Sequence, residues 1–424
     1  MTDVFCELEE RGFIYQTTDD GELRRILKEE QVSFYIGYDP SASSLHAGNL
    51  LTIMAAVHLQ KAGHRPLIVV GGGTGMIGDP SGKTEMRKML TPEEIDSNAD
   101  SIQNQLSRYI DFSGDKAVLL NNREWLSDVK YIEFLRDIGV HFSVNRMLAS
   151  ESVRQRMEKG LSFLEFNYAL LQAYDFYVLA RDYNCLLQMG GQDQWGNIVA
   201  GIDLIRRKLS KPAYGLTFPL LTDSKGEKFG KSVSGAVWLD RERCSPYDFY
   251  QFWRNTDDAD VEACLKMFTF LPVDEAKRLG ALSSPLINRA KEILAYEAVN
   301  VTHGKEEAQK AFASSVRQFG PADPEQTVET SSDAVYITDT DSDIPTVELS
   351  KDLLSEGYWV VKLFNDAGLV SSNGEARRLI RQGGLYINED RVEDEKGTVE
   401  GSHVTDGAVI LRVGKKHYRK AVFK

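Results

Sequence analysis

The stretch that most constrains the fold runs from Val32 to Gly71. Val32-Ser-Phe-Tyr-Ile-Gly37 reads as a short buried strand ending in glycine. From His46 to Ala62, Leu50, Ile53, Met54 and Val57 recur at helical spacing, and Gly63 stops the run. Pro66-Leu-Ile-Val-Val-Gly71 reads as a second buried strand. A strand, a helix and a strand in that order predict a parallel βαβ unit.

The rest of the chain extends this frame. Residues 91–110 read as a polar helix, 130–180 as mostly helical, and Leu186-Leu-Gln-Met189 as a further strand. A nucleotide-binding α/β domain is therefore expected over residues 1–240. Residues 241–320 read as a helical domain, with the pattern clearest from Pro246 to Phe312. Between Pro321 and Ser350 there is no Lys or Arg, and Asp, Glu, Ser and Thr dominate. That composition predicts a solvated, weakly ordered acidic linker over 321–350. A small α+β domain is expected over 351–424, with Arg377, Arg378 and Arg381 on a helix before Gly383-Gly-Leu-Tyr-Ile-Asn388. The tail from Arg412 to Lys424, which includes Lys415 and Lys416, has no acidic residue. There is no internal repeat.

The formal charge of −13 argues against general coating of polyanions, although a local basic face can still meet nucleic acid. Cys6, Cys185, Cys244 and Cys264 are scattered without metal-ligand spacing, which suits a reducing cytoplasm. The acidic N-terminus has no apolar signal core, and no apolar run approaches the roughly 20 residues of a membrane helix.

Two glycine-rich patterns mislead. Gly73-Thr-Gly-Met-Ile-Gly78 fits the dinucleotide fingerprint, but Asp79-Pro-Ser-Gly82 interrupts the helix that should open at once. Gly82-Lys83-Thr84 hints at a phosphate-binding P-loop, yet Ile77 stands where that motif needs glycine. These glycines fit a tight turn, close approach of a ligand to backbone, or both.

The start of the first helix carries chemistry. A helix N-terminus offers free N–H groups and the positive end of the dipole, so it suits phosphate. His46 stands there, with Ser43 and Ser44 as candidate caps, Gly48 where a base or ribose could come close, and Asn49 as an amide donor. A histidine in this place also serves as a cap or core residue. Upstream, Gly37, Asp39-Pro40 and Ser41 fit a loop lining ribose and phosphate. Far downstream, Lys228-Phe-Gly-Lys-Ser232 sets two lysines around a glycine, able to grip β- and γ-phosphates, and Lys83 and Arg87 could add to that. Taken alone, so short a run also reads as a solvated loop.

With both motifs in place the chain resembles the class I aminoacyl-tRNA synthetases. His46-Ala-Gly-Asn49 is similar to the HIGH motif, and Lys228-Phe-Gly-Lys-Ser232 to the KMSKS loop. Within that class it resembles the bacterial tyrosyl-tRNA synthetases, through Tyr35-Ile-Gly-Tyr-Asp-Pro40, Gly78-Asp-Pro-Ser81, Tyr168-Ala-Leu-Leu-Gln-Ala-Tyr-Asp175 and Gly190-Gly-Gln-Asp-Gln-Trp-Gly-Asn197. The resemblance covers essentially the whole chain in order. It departs at Asn49, where HIGH has a second histidine, at Ile36, where some relatives have Cys, and in the KFGKS variant, which keeps both lysines and the hydroxyl.

The resemblance implies a Rossmann-like parallel-sheet catalytic domain, a helical domain and a small S4-like RNA-binding domain. It implies that Tyr35 and Asp175 bond a substrate phenol, that Asp79, Tyr168 and Gln172 hold the substrate ammonium, and that Asp193 and Gln194 lie near the ribose and the substrate. Tyr168, Gln172 and Asp175 share one face of a helix by their spacing, as a plain polar face also would. ATP is implied at Gly37, Asp39, Ser41, His46, Gly48, Asn49, Thr52, Gly191, Asp193 and Lys231. Catalysis is implied for Ser41, His46, Lys83, Arg87, Lys228, Lys231 and Ser232, with Mg²⁺ carried by the triphosphate rather than held in a protein metal site. Arg377, Arg378, Arg381, Lys415 and Lys416 would meet tRNA phosphates. The implied partners are tyrosine, tRNA(Tyr) and a second copy of the chain, the dimer contact lying around Phe134–Phe142.

Three rivals remain to be weighed. A tryptophanyl-tRNA synthetase shares the fold, but Tyr35 with Asp175 and the S4-like tail argue against it. A non-catalytic RNA-binding paralogue should have lost His46, Asp79, Asp175, Lys228 or Lys231, and all are retained. A simple nucleotidyltransferase explains neither the amino-acid pocket nor the basic tail.

Overall fold

The computed structural model describes residues 3–81, 90–149, 153, 154, 157, 160–222, 230–232, 235–336, 345–354, 357–388, 390–404, 407–414 and 417–424. The chain divides into two compact units, Met1–Cys244 with Thr256–Ser283, and Ser245–Asn255 with Ser284–Lys424.

The first unit is built on a six-stranded sheet. Its strands are β1 (Gln16–Thr17), β2 (Ser33–Tyr38), β3 (Arg65–Val70), β4 (Val118–Asn121), β5 (Cys185–Gly191) and β6 (Tyr214–Phe218), in the order β1-β6-β5-β2-β3-β4. All neighbours are parallel except β1, which runs antiparallel to β6. The expected βαβ unit is present, with Tyr35 of β2 opposite Leu67 of β3. Strands buried on both faces read as continuous apolar runs, as Leu67, Ile68, Val69 and Val70 do here. The intervening helix, Ala47–Lys61, buries Leu50, Ile53, Met54, Ala55, Ala56 and Leu59 completely.

The strand order fixes where a ligand can go. From β2 the chain builds outward to β3 and β4, then returns to β5 and β6 on the other side. The connections leaving β2 and β5 therefore part company, and a crevice opens beyond their carboxyl ends.

Thr256–Ser283 belongs to this unit rather than with the rest of the 241–320 stretch. Arg11, almost fully buried, holds it by donating to the carbonyls of Lys266, Thr269 and Leu271 at 3.0, 3.3 and 3.0 Å.

In the second unit, helices Pro246–Arg254, Ile287–His303 and Lys305–Phe319 pack around Phe249, Tyr250, Trp253, Tyr296 and Phe312. The acidic stretch expected to be weakly ordered is held down over residues 321–336. The buried Arg289–Glu292 pair anchors it, Glu292 accepting from the Ala322 amide at 3.1 Å and the Tyr336 hydroxyl at 2.7 Å. Tyr336 stacks on Phe312 at 5.4 Å between ring centres. Residues 337–344 lie outside the described residues. The C-terminal part is a five-stranded sheet of Asp390–Arg391, Leu385–Ile387, Ala408–Val413, His417–Phe423 and Thr346–Leu349, in that order, the last strand parallel to its neighbour. Helices Val360–Asp366 and Asn373–Arg381 supply Val361, Phe364 and Ile380 to its core. Among the described residues no helix is long and apolar enough to cross a membrane.

Candidate active site

The crevice beyond β2 and β5 is a cavity of about 560 Å³. It gathers Tyr35, Gly37, Asp39, Ser41, His46, Gly48, Asn49, Thr52, Asp79, Tyr168, Gln172, Asp175, Gly191, Asp193 and Gln194, every one of them named from sequence. Helix Tyr168–Asp182 turns Tyr168, Gln172 and Asp175 to this cavity, as their spacing predicts.

Asp175 is the most deeply buried charge in the cavity, at 1% exposure. Its two oxygens accept from Asn122 Nδ2 at 2.9 Å and from Trp125 Nε1 at 2.7 Å. Burial pushes its carboxyl up to about 7, and the Asn122 and Trp125 bonds pull the other way. Tyr35 is held well above the usual tyrosine range, first by burial and then by the Asp175 charge. Gly37 leaves room for this phenol, since a Cβ there would come 3.0 Å from the Tyr35 hydroxyl.

A second acidic group lies at Asp79. It accepts from the Ser81 amide at 2.9 Å and from Gln194 Nε2 at 2.6 Å, and burial raises its carboxyl to about 6. Gln172 and Gln194 are both oriented by Asn197, whose amide donates to their oxygens at 3.0 and 3.2 Å. Tyr168 donates to Asp39 at 2.9 Å, and Asp39 accepts from Thr74 at 2.8 Å through its other oxygen. Asp39, expected at the nucleotide, thus also fixes Tyr168. The result is a polar lining in which a positive and a phenolic group could be met by pre-oriented acceptors.

The helix start differs in detail from expectation. Neither Ser43 nor Ser44 caps it, because the helix begins at Ala47. Ser44 instead donates to the Leu45 carbonyl and accepts from Gln105, while Asn49 Oδ1 accepts from the His46 amide at 3.1 Å. Asn49 therefore holds the first turn with its oxygen. The Ala47 amide is committed to the Val237 carbonyl at 2.7 Å, and the Leu239 amide donates to Leu45 at 2.8 Å. Residues 237–239 are laced across the helix start, with Trp238 bridged to His46. Gly230, of the lysine motif, lies directly over Gly48.

Lys231 and Ser232 form a short strand paired with Gly235–Ala236. Lys83, Arg87, Lys228, Lys415 and Lys416 lie outside the described residues. Among the described residues no group of three or more His, Cys, Asp or Glu could hold a metal ion. In the second unit, Arg378 pairs with Glu375 at 3.8 Å, Arg381 with Glu395 at 3.0 Å, and Arg377 stacks on Trp359 at 5.2 Å.

The sequence reading missed Thr74, Asn122, Trp125 and Asn197. Asn122 stands just beyond β4, where a crevice residue of a parallel sheet belongs, and that position was the available signal. Asn197 ends the Gly190–Asn197 motif, whose place in sequence assigns it no role.

Comparison with known proteins agrees with this geometry. Residues 27–320 match the family model described as tRNA synthetases class I (W and Y), and residues 336–421 that described as Tyrosine--tRNA ligase SYY-like C-terminal domain. The chain is 52% identical over 422 residues to a protein named Tyrosine--tRNA ligase from Clostridium botulinum (strain Loch Maree / Type A3), covering 100% of each. It is 52% identical over 421 residues to one of the same name from Clostridium tetani (strain Massachusetts / E88), covering 99% of each. The crystal structure of a C-terminally truncated Aspergillus nidulans mitochondrial tyrosyl-tRNA synthetase superposes with a TM-score of 0.68 at 32% identity, over 75% of this chain and 95% of that one. Parallel sheet, crevice residues and sequence together place the chain in the family of class I tRNA synthetases of the W and Y group.

Proposed function

We propose that this protein is a tyrosine–tRNA ligase. The observation that carries the reading is the buried Asp175 beside Tyr35 in a cavity whose rim is the His46 helix start. Such a floor suits a phenol and leaves buried polar groups unpaired when a phenylalanine ring enters. Asp79, Tyr168, Gln172 and Gln194 are then the cradle for the ammonium end of tyrosine.

The reaction has two steps. A carboxylate oxygen of tyrosine bonds to the α-phosphorus of ATP as the bond from that phosphorus to its bridging oxygen breaks. Pyrophosphate leaves with the electron pair. The carboxylate is already ionised near neutral pH, so no general base is needed, and catalysis rests on positioning and charge stabilisation. A hydroxyl of the terminal adenosine of tRNA(Tyr) then attacks the tyrosyl carbonyl, loses its proton, and AMP departs. Ser41, His46, Gly48, Asn49 and Thr52 are assigned to the nucleotide, with Gly37, Asp39, Gly191 and Asp193 toward its ribose side. Lys83, Arg87, Lys228, Lys231 and Ser232 are assigned to the phosphates. Mg²⁺ would arrive on phosphate oxygens and water.

The C-terminal sheet and its arginines are read as an S4-like tRNA grip, with Arg377, Arg378 and Arg381 and the tail lysines meeting phosphates. Exposed Tyr131, Ile132 and Val140, around the expected Phe134–Phe142 contact, support a homodimer there. The cytoplasm is the proposed location, which the scattered cysteines suit.

ATP–pyrophosphate exchange without tRNA tests the reading, with tyrosine, phenylalanine and tryptophan compared. Exchange with tyrosine alone is expected. Exchange with tryptophan, or with none from folded protein, would overturn it.

A further inference from the structure

Outside the residues assigned above, one aromatic–cation pair stands against the nucleotide end of the cavity. Trp238 lines that cavity. Its backbone is bridged to His46, and its ring meets the His46 imidazole edge-on at 6.4 Å between centres. On Trp238 lies the Arg243 guanidinium, 3.5 Å from the ring centre. The same guanidinium donates to Ser43 Oγ at 3.2 Å, on the loop that leads into the helix. Arg243 therefore ties both chains of the lacing together, the 237–239 segment through the indole and the 43–47 segment through the hydroxyl.

We propose that Trp238 and Arg243 are a positioning pair for the nucleotide, holding His46 and the backbone of the lysine motif in one register. The argument follows from what is fixed to what. Val237 accepts from Ala47 and donates to the Gly230 carbonyl at 3.0 Å, so the motif and the helix start share one strut. A strut held by three backbone bonds, those of Val237 and that from Leu239 to Leu45, fixes the main chain but not the indole that Trp238 presents to His46. A planar guanidinium stacked on the indole and bonded to the opposite chain removes the freedom of that ring. The floor of the cavity, at Asp175 and Asp79, depends on none of these contacts. The pair should thus act on ATP and leave tyrosine alone.

This inference rests on the ligase reading above, and the test separates the two. Full-length Arg243→Ala and Trp238→Leu are compared with wild type by exchange kinetics, by tyrosine binding in the absence of ATP and by thermal unfolding. A cation–ring contact of ~0.5–2 kcal/mol corresponds to a rise of about 2- to 30-fold in the KM for ATP. The dissociation constant for tyrosine should stay within about twofold, and Arg243→Lys and Trp238→Phe should recover part of the loss. A merely structural role would lower the melting temperature and move both substrates together, which would overturn the proposal. So would an unchanged KM for ATP in Arg243→Ala. Should Trp238→Leu fail to fold, Arg243→Ala decides, since Arg243 is exposed. If wild type itself shows no exchange, the ligase reading falls, and calorimetry of ATP with wild type and Arg243→Ala still decides the pair.

Discussion

A Cβ on Gly230 would stand 2.8 Å from the backbone nitrogen of Gly48, so the two motifs assigned to ATP touch through their glycines. Gly230 also has φ of +85°, a region that side chains disfavour by roughly 1–2 kcal/mol. The atoms it would meet, Gly48 N, Gly48 Cα and Ala47 C, are all backbone and cannot yield. Gly230→Ala is expected to slow adenylate formation about tenfold or more while tyrosine binding stays unchanged. Single-turnover kinetics with a parallel binding titration would show it, and a wild-type rate would refute the close contact.

Asn122→Ala removes one of the two donors to Asp175 and leaves the Gly73 amide, now bonded at 2.8 Å, without its acceptor. Unmade buried bonds cost about 1–3 kcal/mol. Tyrosine should bind about 10- to 100-fold more weakly. The pH at which Asp175 ionises should rise, because a bond that favours the charge is gone. Equilibrium titrations across pH separate these two effects.

The raised carboxyls give opposite signs for binding and stability. Asp175 at about 7 and Asp79 at about 6 are more protonated in the folded chain than in the unfolded one. Ligand-free stability should therefore be greatest at low pH with respect to these groups, and fall as pH rises from their ordinary carboxylate range through about 6 and 7. Tyrosine, read as needing both charges, should bind more tightly over the same rise. Urea unfolding of wild type and Asp175→Asn at pH near 5 and near 8 tests the first half, and the variant should flatten the slope. Titration with tyrosine tests the second.

Arg289→Met leaves Glu292 buried at 2% exposure without its cation. Breaking a buried pair in this way costs about 3–5 kcal/mol. The second unit should melt earlier, while the exchange reaction, whose residues all lie in the first unit, should persist at temperatures where the variant remains folded. Calorimetry with an exchange assay would check both.

The parts legible in sequence were those with a local period or a contiguous motif. Tyr168, Gln172 and Asp175 share a helix face, so their convergence could be read from spacing. Asn122 and Trp125 could not be read that way. Asn122 follows β4 at the sheet edge and Trp125 lies in the short helix Arg123–Leu126 that comes next, and only the strand order brings them against Asp175. The 321–336 segment misled because its composition is acidic, while what holds it is a stacked Tyr336 and a buried Arg289, both supplied singly. Thr256–Ser283 misled because helices look alike along a chain, and Arg11, the residue that claims this segment, sits at the other end of the sequence.

The lacing of Leu45–Ala47 by Val237–Leu239 bears on how the protein comes into being. No nascent chain that stops short of Leu239 possesses the full lacing of that helix start, however well its first strands have condensed. Closing so wide a loop adds little entropy cost for its extra length, but it makes the arrival of one late segment the event that completes the pocket. Chains truncated just before and just after that point should differ sharply in their capacity to hold a nucleotide, although they differ by only a handful of residues.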